Sequence, residues 1–332
     1  MNDPQITPIL DEACEQFGDG RIDFDAILEA VCAPGDVPGN PAGKNFRGHP
    51  RPSRSSVHEC VEMLRSVLFP GYFGYGQLTE RTIRAYVLTT LDRALRLLQE
   101  QVMRALCFEC EKDFATCGKC VPDSRDMVVA FANRLPEVRR ILSTDAQASY
   151  DYDPATTIRD EPVFCYPGMF AVTNYRMAHE LAVLGVPLIP RIMTEYAHDI
   201  TGIDIHPAAE IGESFFIDHG TGVVIGATCI IGNRVRLYQG VTLGVKNFEL
   251  DERGFPVKGV PRHPILEDDV VIYSNTSVLG RIRIGKGSVV AANVRLTTDV
   301  PPGSIVYPAA VRVKVVDPKT GLPAGVAGES DG

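Results

Sequence analysis

No stretch of the 332 residues approaches the roughly 18 consecutive apolar residues that would cross a membrane, and Met1-Asn2-Asp3-Pro4 lacks the basic start of a secretory signal. Excess positive charge is missing too. Lys and Arg number 33 against 42 Asp and Glu, a formal net charge of −9, which speaks against nucleic acid as a partner because phosphates want a basic face. The chain therefore reads as cytoplasmic, with its nine cysteines reduced. With 45% hydrophobic residues it can bury a sizeable core, and its length suggests two domains.

The strongest positive signal is a six-residue beat. Aliphatic residues recur at Ile205, Ile211 and Ile217, then at Ile225, Ile231, Leu237 and Leu243, and again at Leu266, Ile272, Val278, Ile284, Val290 and Leu296. Strands repeat every two residues and helices every three to four, so this period is that of a parallel β-helix, in which three hexads close one triangular coil and the aliphatic residues stack into a central column.

The beat breaks twice. From Ile217 to Ile225 the step is eight, and the added residues fall in Asp218-His219-Gly220-Thr221-Gly222, which distorts the prism where an acid and an imidazole stand together. The second break, about 245–264, carries Gly254, Pro256, Gly259 and Pro261 and ends in Arg262-His263-Pro264; it reads as a long excursion, and long loops in compact domains are functional or disordered. The part before the prism is helical by spacing. Residues 1–33 read as a helical segment, 34–56 as a Pro/Gly-rich linker, 57–200 as an α-helical domain interrupted at Pro187 and Pro190, 201–313 as the β-helix, and 314–332 as a flexible tail.

Cys107-Phe108-Glu109-Cys110 and Cys117-Gly118-Lys119-Cys120 form two Cys-x-x-Cys pairs, the four-thiolate set that structural zinc prefers. Their connector is shorter than the ~12–20 residues of most zinc pairs, so structural zinc, uncoordinated thiols, and a disulfide or iron–sulfur role all stand as readings. Cys14, Cys32, Cys60, Cys165 and Cys229 are scattered and suggest no site.

The run Asp204-Ile205-His206-Pro207-Ala208-Ala209, with Ile211-Gly212 and Ile217-Asp218-His219-Gly220-Thr221-Gly222, resembles bacterial serine O-acetyltransferases, hexapeptide-repeat acyltransferases that begin cysteine synthesis. Gln239-Gly240-Val241-Thr242-Leu243-Gly244, Arg262-His263-Pro264, Asp153-Pro154-Ala155 and Tyr175-Arg176 extend the resemblance over about residues 145–300. The resemblance implies an α+β chain, with an amino-terminal α-helical domain followed by a left-handed parallel β-helix, a hand that breaks the usual crossover rule. It also implies acetyl-CoA as co-substrate, L-serine as acceptor, cysteine as feedback inhibitor, and a homotrimer or dimer of trimers with sites between neighbouring prisms.

The chemistry needs a base for the serine hydroxyl and a partner for the oxyanion formed on the thioester carbonyl. His219 is the choice for base, since an ordinary imidazole is largely neutral at pH 7. Asp204 lies fifteen residues earlier, on an adjacent coil, and can orient the ring as the aspartate of a catalytic triad does. By resemblance, Asp153 and Asp218 receive the serine ammonium, Arg262 its carboxylate, and His263 the substrate or the developing charge. Gly244, Ser274 and Ala292 match positions that contact coenzyme A. Here the chain departs from the family pattern: the short glycine-rich stretch before Arg-His-Pro is replaced by the excursion, and the late Gly-x-Pro-Ala-Arg stands as Tyr307-Pro308-Ala309-Ala310-Val311-Arg312. His179, His198 and His206 read as structural.

Two other classes use such a prism. One is an acetyltransferase acting on a sugar or antibiotic hydroxyl; the other is a γ-carbonic-anhydrase-like zinc hydratase with ligands from His206, His219 and His263. Many relatives end in a tail whose terminal isoleucine enters O-acetylserine sulfhydrylase. This chain ends Gly328-Glu329-Ser330-Asp331-Gly332, without an apolar anchor, and no tail-mediated complex is expected.

Overall fold

The computed structural model describes residues 51–74, 78–110 and 118–308, and Ile27 besides. Apart from Ile27, the expected segment 1–33, most of the linker, Cys14, Cys32, Cys117 and the tail at 314–332 lie outside the described residues.

Helices come first. α1 (Arg54–Leu68) starts where the Ser53 side chain accepts from Ser56 N, so ordered helix begins inside the stretch expected as linker. α2 (Glu80–Glu109) opens on a capping box between Thr79 and Thr82, and α3 (Cys120–Tyr152) returns against it. The short α4 (Glu161–Cys165) leads into α5 (Pro167–Val183) and α6 (Ile189–Thr201). The expected interruption at Pro187 falls between α5 and α6. Pro190 instead lies in the first turn of α6, where a missing N–H breaks no helical bond. Leu64, Leu98, Phe131, Leu142 and Leu181 are fully buried where these helices meet. No helix among the described residues is long and apolar enough to cross a membrane.

α6 ends at Gly202, whose φ of 70° suits a residue without Cβ, and the chain enters the prism directly. Among the described residues, fourteen short parallel strands form three faces. Face one is β1 (Asp204–Ile205), β4 (Val224–Ile225), β7 (Thr242–Gly244), β10 (Ser277–Leu279) and β13 (Arg295–Leu296). Face two is β2 (Glu210–Ile211), β5 (Ile230–Ile231), β8 (Ile265–Leu266) and β11 (Arg283–Ile284). Face three is β3 (Phe216–Asp218), β6 (Arg236–Tyr238), β9 (Val271–Ile272), β12 (Val289–Val290) and β14 (Ile305–Val306). The expected column is there: Leu237, Leu243, Ile272, Val278, Ile284 and Val290 are fully buried, while Ile211 and Leu296 are only partly covered.

Register measures the two breaks. Val224 pairs with Thr242, eighteen residues on, whereas Asp204 pairs with Val224, twenty on, because the step crosses the His219 bulge. Leu243 pairs with Val278, thirty-five on, across the excursion. The excursion has more order than its composition suggests. Leu250 and Pro256 bridge antiparallel, and the Asp251 side chain accepts from Arg253 N and Phe255 N, folding the segment into a short hairpin.

A buried ion pair ties the helices to the first coil. Arg176 on α5 donates to both oxygens of Asp145 on α3, 3.1 Å each, and to the carbonyls of Ile211 and Gly212. Asp145 also accepts from Phe215 N at 2.8 Å, and Tyr175 Oη donates to Ala209 O at 2.6 Å.

Candidate functional site

Asp218 closes β3 and His219 turns the corner from face three to face one. His219 sits at φ 55°, a left-handed backbone of the kind other prism corners also use, and its side chain is 72% exposed. Gly222 N donates to Gly202 O across the bulge, fixing the corner on the end of α6. At the neighbouring Gly220 a Cβ would run into the Ile203 side chain at 2.3 Å, so the turn needs glycine there.

Two carboxylates face this imidazole. His219 Nδ1 lies 3.7 Å from Asp218 Oδ1. Asp153, at the carboxyl end of α3, accepts from Ala155 N and from the Tyr166 hydroxyl, and the Tyr166 bond holds its carboxyl below the usual range. Burial pushes the Asp218 carboxyl up, and the nearby charge of Asp153 adds to the rise. Two acids this close, beside an open imidazole, form a place where a bound cation gains from both.

Arg262 and His263 stand on another edge, where face one passes into face two. Thr228 organises them: its hydroxyl accepts from Arg262 N and His263 N and lies 2.8 Å from His263 Nδ1. Thr228 N also donates to His263 Nδ1, which assigns the ring proton to Nε2. The ring lies over Gly226, where a Cβ would be 1.9 Å from it, so only glycine leaves room. Burial, then the charges of Arg262, His206 and Arg281, push the His263 pKa down to about 4. It is a neutral donor at physiological pH. Arg262 Nε is buried without a partner.

Within one chain the expected site residues thus fall into two groups. Asp153, Asp218 and His219 come together; Arg262, His263 and His206 come together elsewhere. Asp204 joins neither by hydrogen bond. It lies on the outer side of face one, 3.7 Å from Arg191 of α6 and in one cluster with Glu195 and His198. Ser274 and Ala292 turn the same corner as His219 on later coils, with Asn293 N bonded to Ser274 O, while Gly244 ends β7 beside the excursion. His179 is held by Pro207 O and the Tyr175 ring.

Tyr166, Thr228, Arg281 and the stacked pair Tyr238 and Tyr273 are not marked by sequence spacing. The two stacked tyrosines alone leave a register signal, since Tyr238 takes Asp218's position one coil on and Tyr273 follows it on the next coil. Within one chain His206, His219 and His263 do not form a metal-binding group, because His219 is on a different edge from the other two. Among the described residues the one group close enough to hold a metal is Glu195, His198 and Asp204, with the Arg191 guanidinium against it. The expected four-cysteine zinc set includes Cys117 and so falls partly outside the described residues. The buried Cys229 thiol is pushed up to about 12 by desolvation, which leaves it inert as a nucleophile.

No family model matches the chain. Individual proteins do. A plasmid serine acetyltransferase of Synechococcus elongatus is 49% identical over 267 residues, 80% of this chain and 84% of its own. A serine acetyltransferase of Mycobacterium tuberculosis is 40% identical over 186 residues, 56% of this chain and 72% of its own. Among solved structures, serine acetyltransferase 1 of Entamoeba histolytica in complex with L-cysteine superposes with a TM-score of 0.65 at 36% identity, covering 78% of this chain and 88% of its own. Helices followed by a left-handed β-helix of five stacked coils, and near half-identity across most of a relative's length, lead to one assignment: the chain belongs to the serine acetyltransferases.

Proposed function

We propose that this chain transfers the acetyl group of acetyl-CoA to the hydroxyl of L-serine, with His219 as the base, in a site completed by two copies. Asp153 and Asp218 of one copy take the serine ammonium. Arg262 of a second copy takes the carboxylate through its guanidinium fork, an arrangement that also gives its unpartnered Nε an acceptor. The exposed His219 then accepts the hydroxyl proton as oxygen attacks the thioester carbonyl. The tetrahedral oxyanion is met by the Nε2 proton of the second copy's His263, which its low pKa keeps neutral. Collapse expels the coenzyme A thiolate, which takes the proton from His219 and leaves O-acetylserine.

What supports the shared site is the separation of the two groups. Arg262 and His263 precede face two, His219 precedes face one, and a prism edge cannot fold onto another edge of the same prism. Packing prisms side by side, as in a trimer, sets one edge against the next. Asp204 lies close enough to His206 to act on it electrostatically, on the side of the Arg262 group, so in a site shared by two copies it comes to His219 from the neighbouring copy as an orienting group. Ser274 and Ala292 on the His219 edge and Gly244 on the other suit a coenzyme lying between copies.

The direct test is acetyl-CoA consumption with a panel of free amino acids and sugars. Serine should be the acceptor, because a neutral sugar has no use for two carboxylates and a guanidinium. A sugar or antibiotic hydroxyl that outruns serine would refute the reading. Cysteine differs from serine by one atom and offers the same two charged ends, and it is bound in the Entamoeba histolytica relative. Here it should raise the apparent KM for serine without lowering kcat at saturating serine; unchanged rates in millimolar cysteine would remove the inhibitory role and leave the catalytic one.

A further inference from the structure

The excursion carries an unusual surface. Phe248, Leu250 and Phe255 are 57%, 60% and 63% exposed on one short hairpin, where a solvated loop would carry polar side chains. Two of them, Phe248 and Phe255, line an open cleft of about 770 Å³ that continues to Arg262 and holds Arg253 and Lys258 with Asp251. An apolar tip with a basic floor therefore adjoins the residue assigned to the serine carboxylate.

The His219 edge offers the complement. Tyr238 sits directly above Asp218 in the coil register, and Tyr273 stacks on it with ring centroids 4.9 Å apart. Tyr273 is 41% exposed, so the pair forms an aromatic ledge open to solvent. Asp153 and Asp218 place negative charge at its foot. Apolar meets aromatic and basic meets acidic when the two edges face one another, and neither surface has a partner within its own prism.

We propose that the excursion of one copy docks Phe248, Leu250 and Phe255 onto the Tyr238–Tyr273 ledge of the next copy, covering that copy's Asp218 and His219 and excluding water from the serine site. The proposal rests on the shared site argued above, and it explains why residues are inserted between these coils: they close a site that the prism alone leaves open. A dry site strengthens the hold of the carboxylates on the ammonium.

The chain contains no tryptophan, so Phe255→Trp places a single indole on the tip. In the assembled full-length protein its emission should be blue-shifted relative to the urea-unfolded chain, and adding Tyr273→Ser should return it toward the unfolded value. In the tryptophan-free background, Phe248→Ser with Phe255→Ser should raise KM for serine by about tenfold or more, the scale set by burial of a large apolar side chain. Adding Tyr273→Ser should raise it little further, since partners in one contact are not additive. Solvent-like indole emission in the assembled protein would overturn the docking. So would a serine KM within twofold of the unsubstituted chain, or a rise confined to the KM for acetyl-CoA, which would place the co-substrate under the hairpin instead. Acetyl transfer by the unsubstituted chain is measured separately, so loss of the docking and loss of the catalytic reading remain distinguishable.

Discussion

Replacing His219 with alanine should lower turnover by about 10²–10⁴-fold, the contribution of a positioned general base, while the fold stays intact. The side chain is 72% exposed, so its removal opens no cavity, and the aliphatic column passes beneath it untouched. The backbone at φ 55° is the one structural concern. His219→Asn answers it, because asparagine tolerates the left-handed region and offers no proton acceptor of comparable basicity. Both variants should match the parent in circular dichroism and mass. Retention of more than about a tenth of the parent's turnover in either would remove His219 as base.

The largest stability effect is expected at the ion pair between the helices and the prism. Asp145→Ala leaves Arg176, only 6% exposed, with its charge uncompensated and deprives Phe215 N of its acceptor. Removing one partner of a buried pair costs about 3–5 kcal/mol. The functional consequence follows along α3, since Asp153 caps the helix that carries Asp145 and reaches Asp218 only if that helix is seated on the first coil. Urea denaturation should show the loss as a lowered midpoint, with Asp145→Asn intermediate because it keeps a hydrogen-bonding side chain. A cost below about 1 kcal/mol would show that the pair is not what joins the layers.

The prism could be read from the chain because each hexad spends one aliphatic residue on a column that tolerates nothing else. Ile225, Leu237 and Leu243 announce it, and any insertion shows as a missed beat, which is how the His219 bulge and the excursion surfaced. Side-chain direction was not legible in the same way. Spacing along a coil sets the level of Asp204 but not its rotamer, and the cations of α6, remote in sequence terms from any coil rule, draw it toward Arg191. Composition misled at both ends of the helical part. Ser53 looks like linker chemistry and acts as a cap, and Pro190 looks like a breaker and starts a helix. Tyr166 left no trace because a phenol that tunes a carboxylate thirteen residues away follows no period. The division of the site between two edges was implied only by the resemblance, not by spacing: Arg262-His263 and His219 share one motif family, yet the turn on which each falls is decided by counting strands, not residues.

The shared site is tested most directly by mixing two dead variants. His219→Ala and Arg262→Ala, each prepared alone, should be nearly inactive. Co-expressed with different affinity tags and purified through both, mixed assemblies contain some sites in which His219 of one copy faces Arg262 of another, both intact. Recovery of acetyl transfer well above the sum of the two single variants is the expected result. Mixed assemblies as inactive as their components would contradict a site built from two copies.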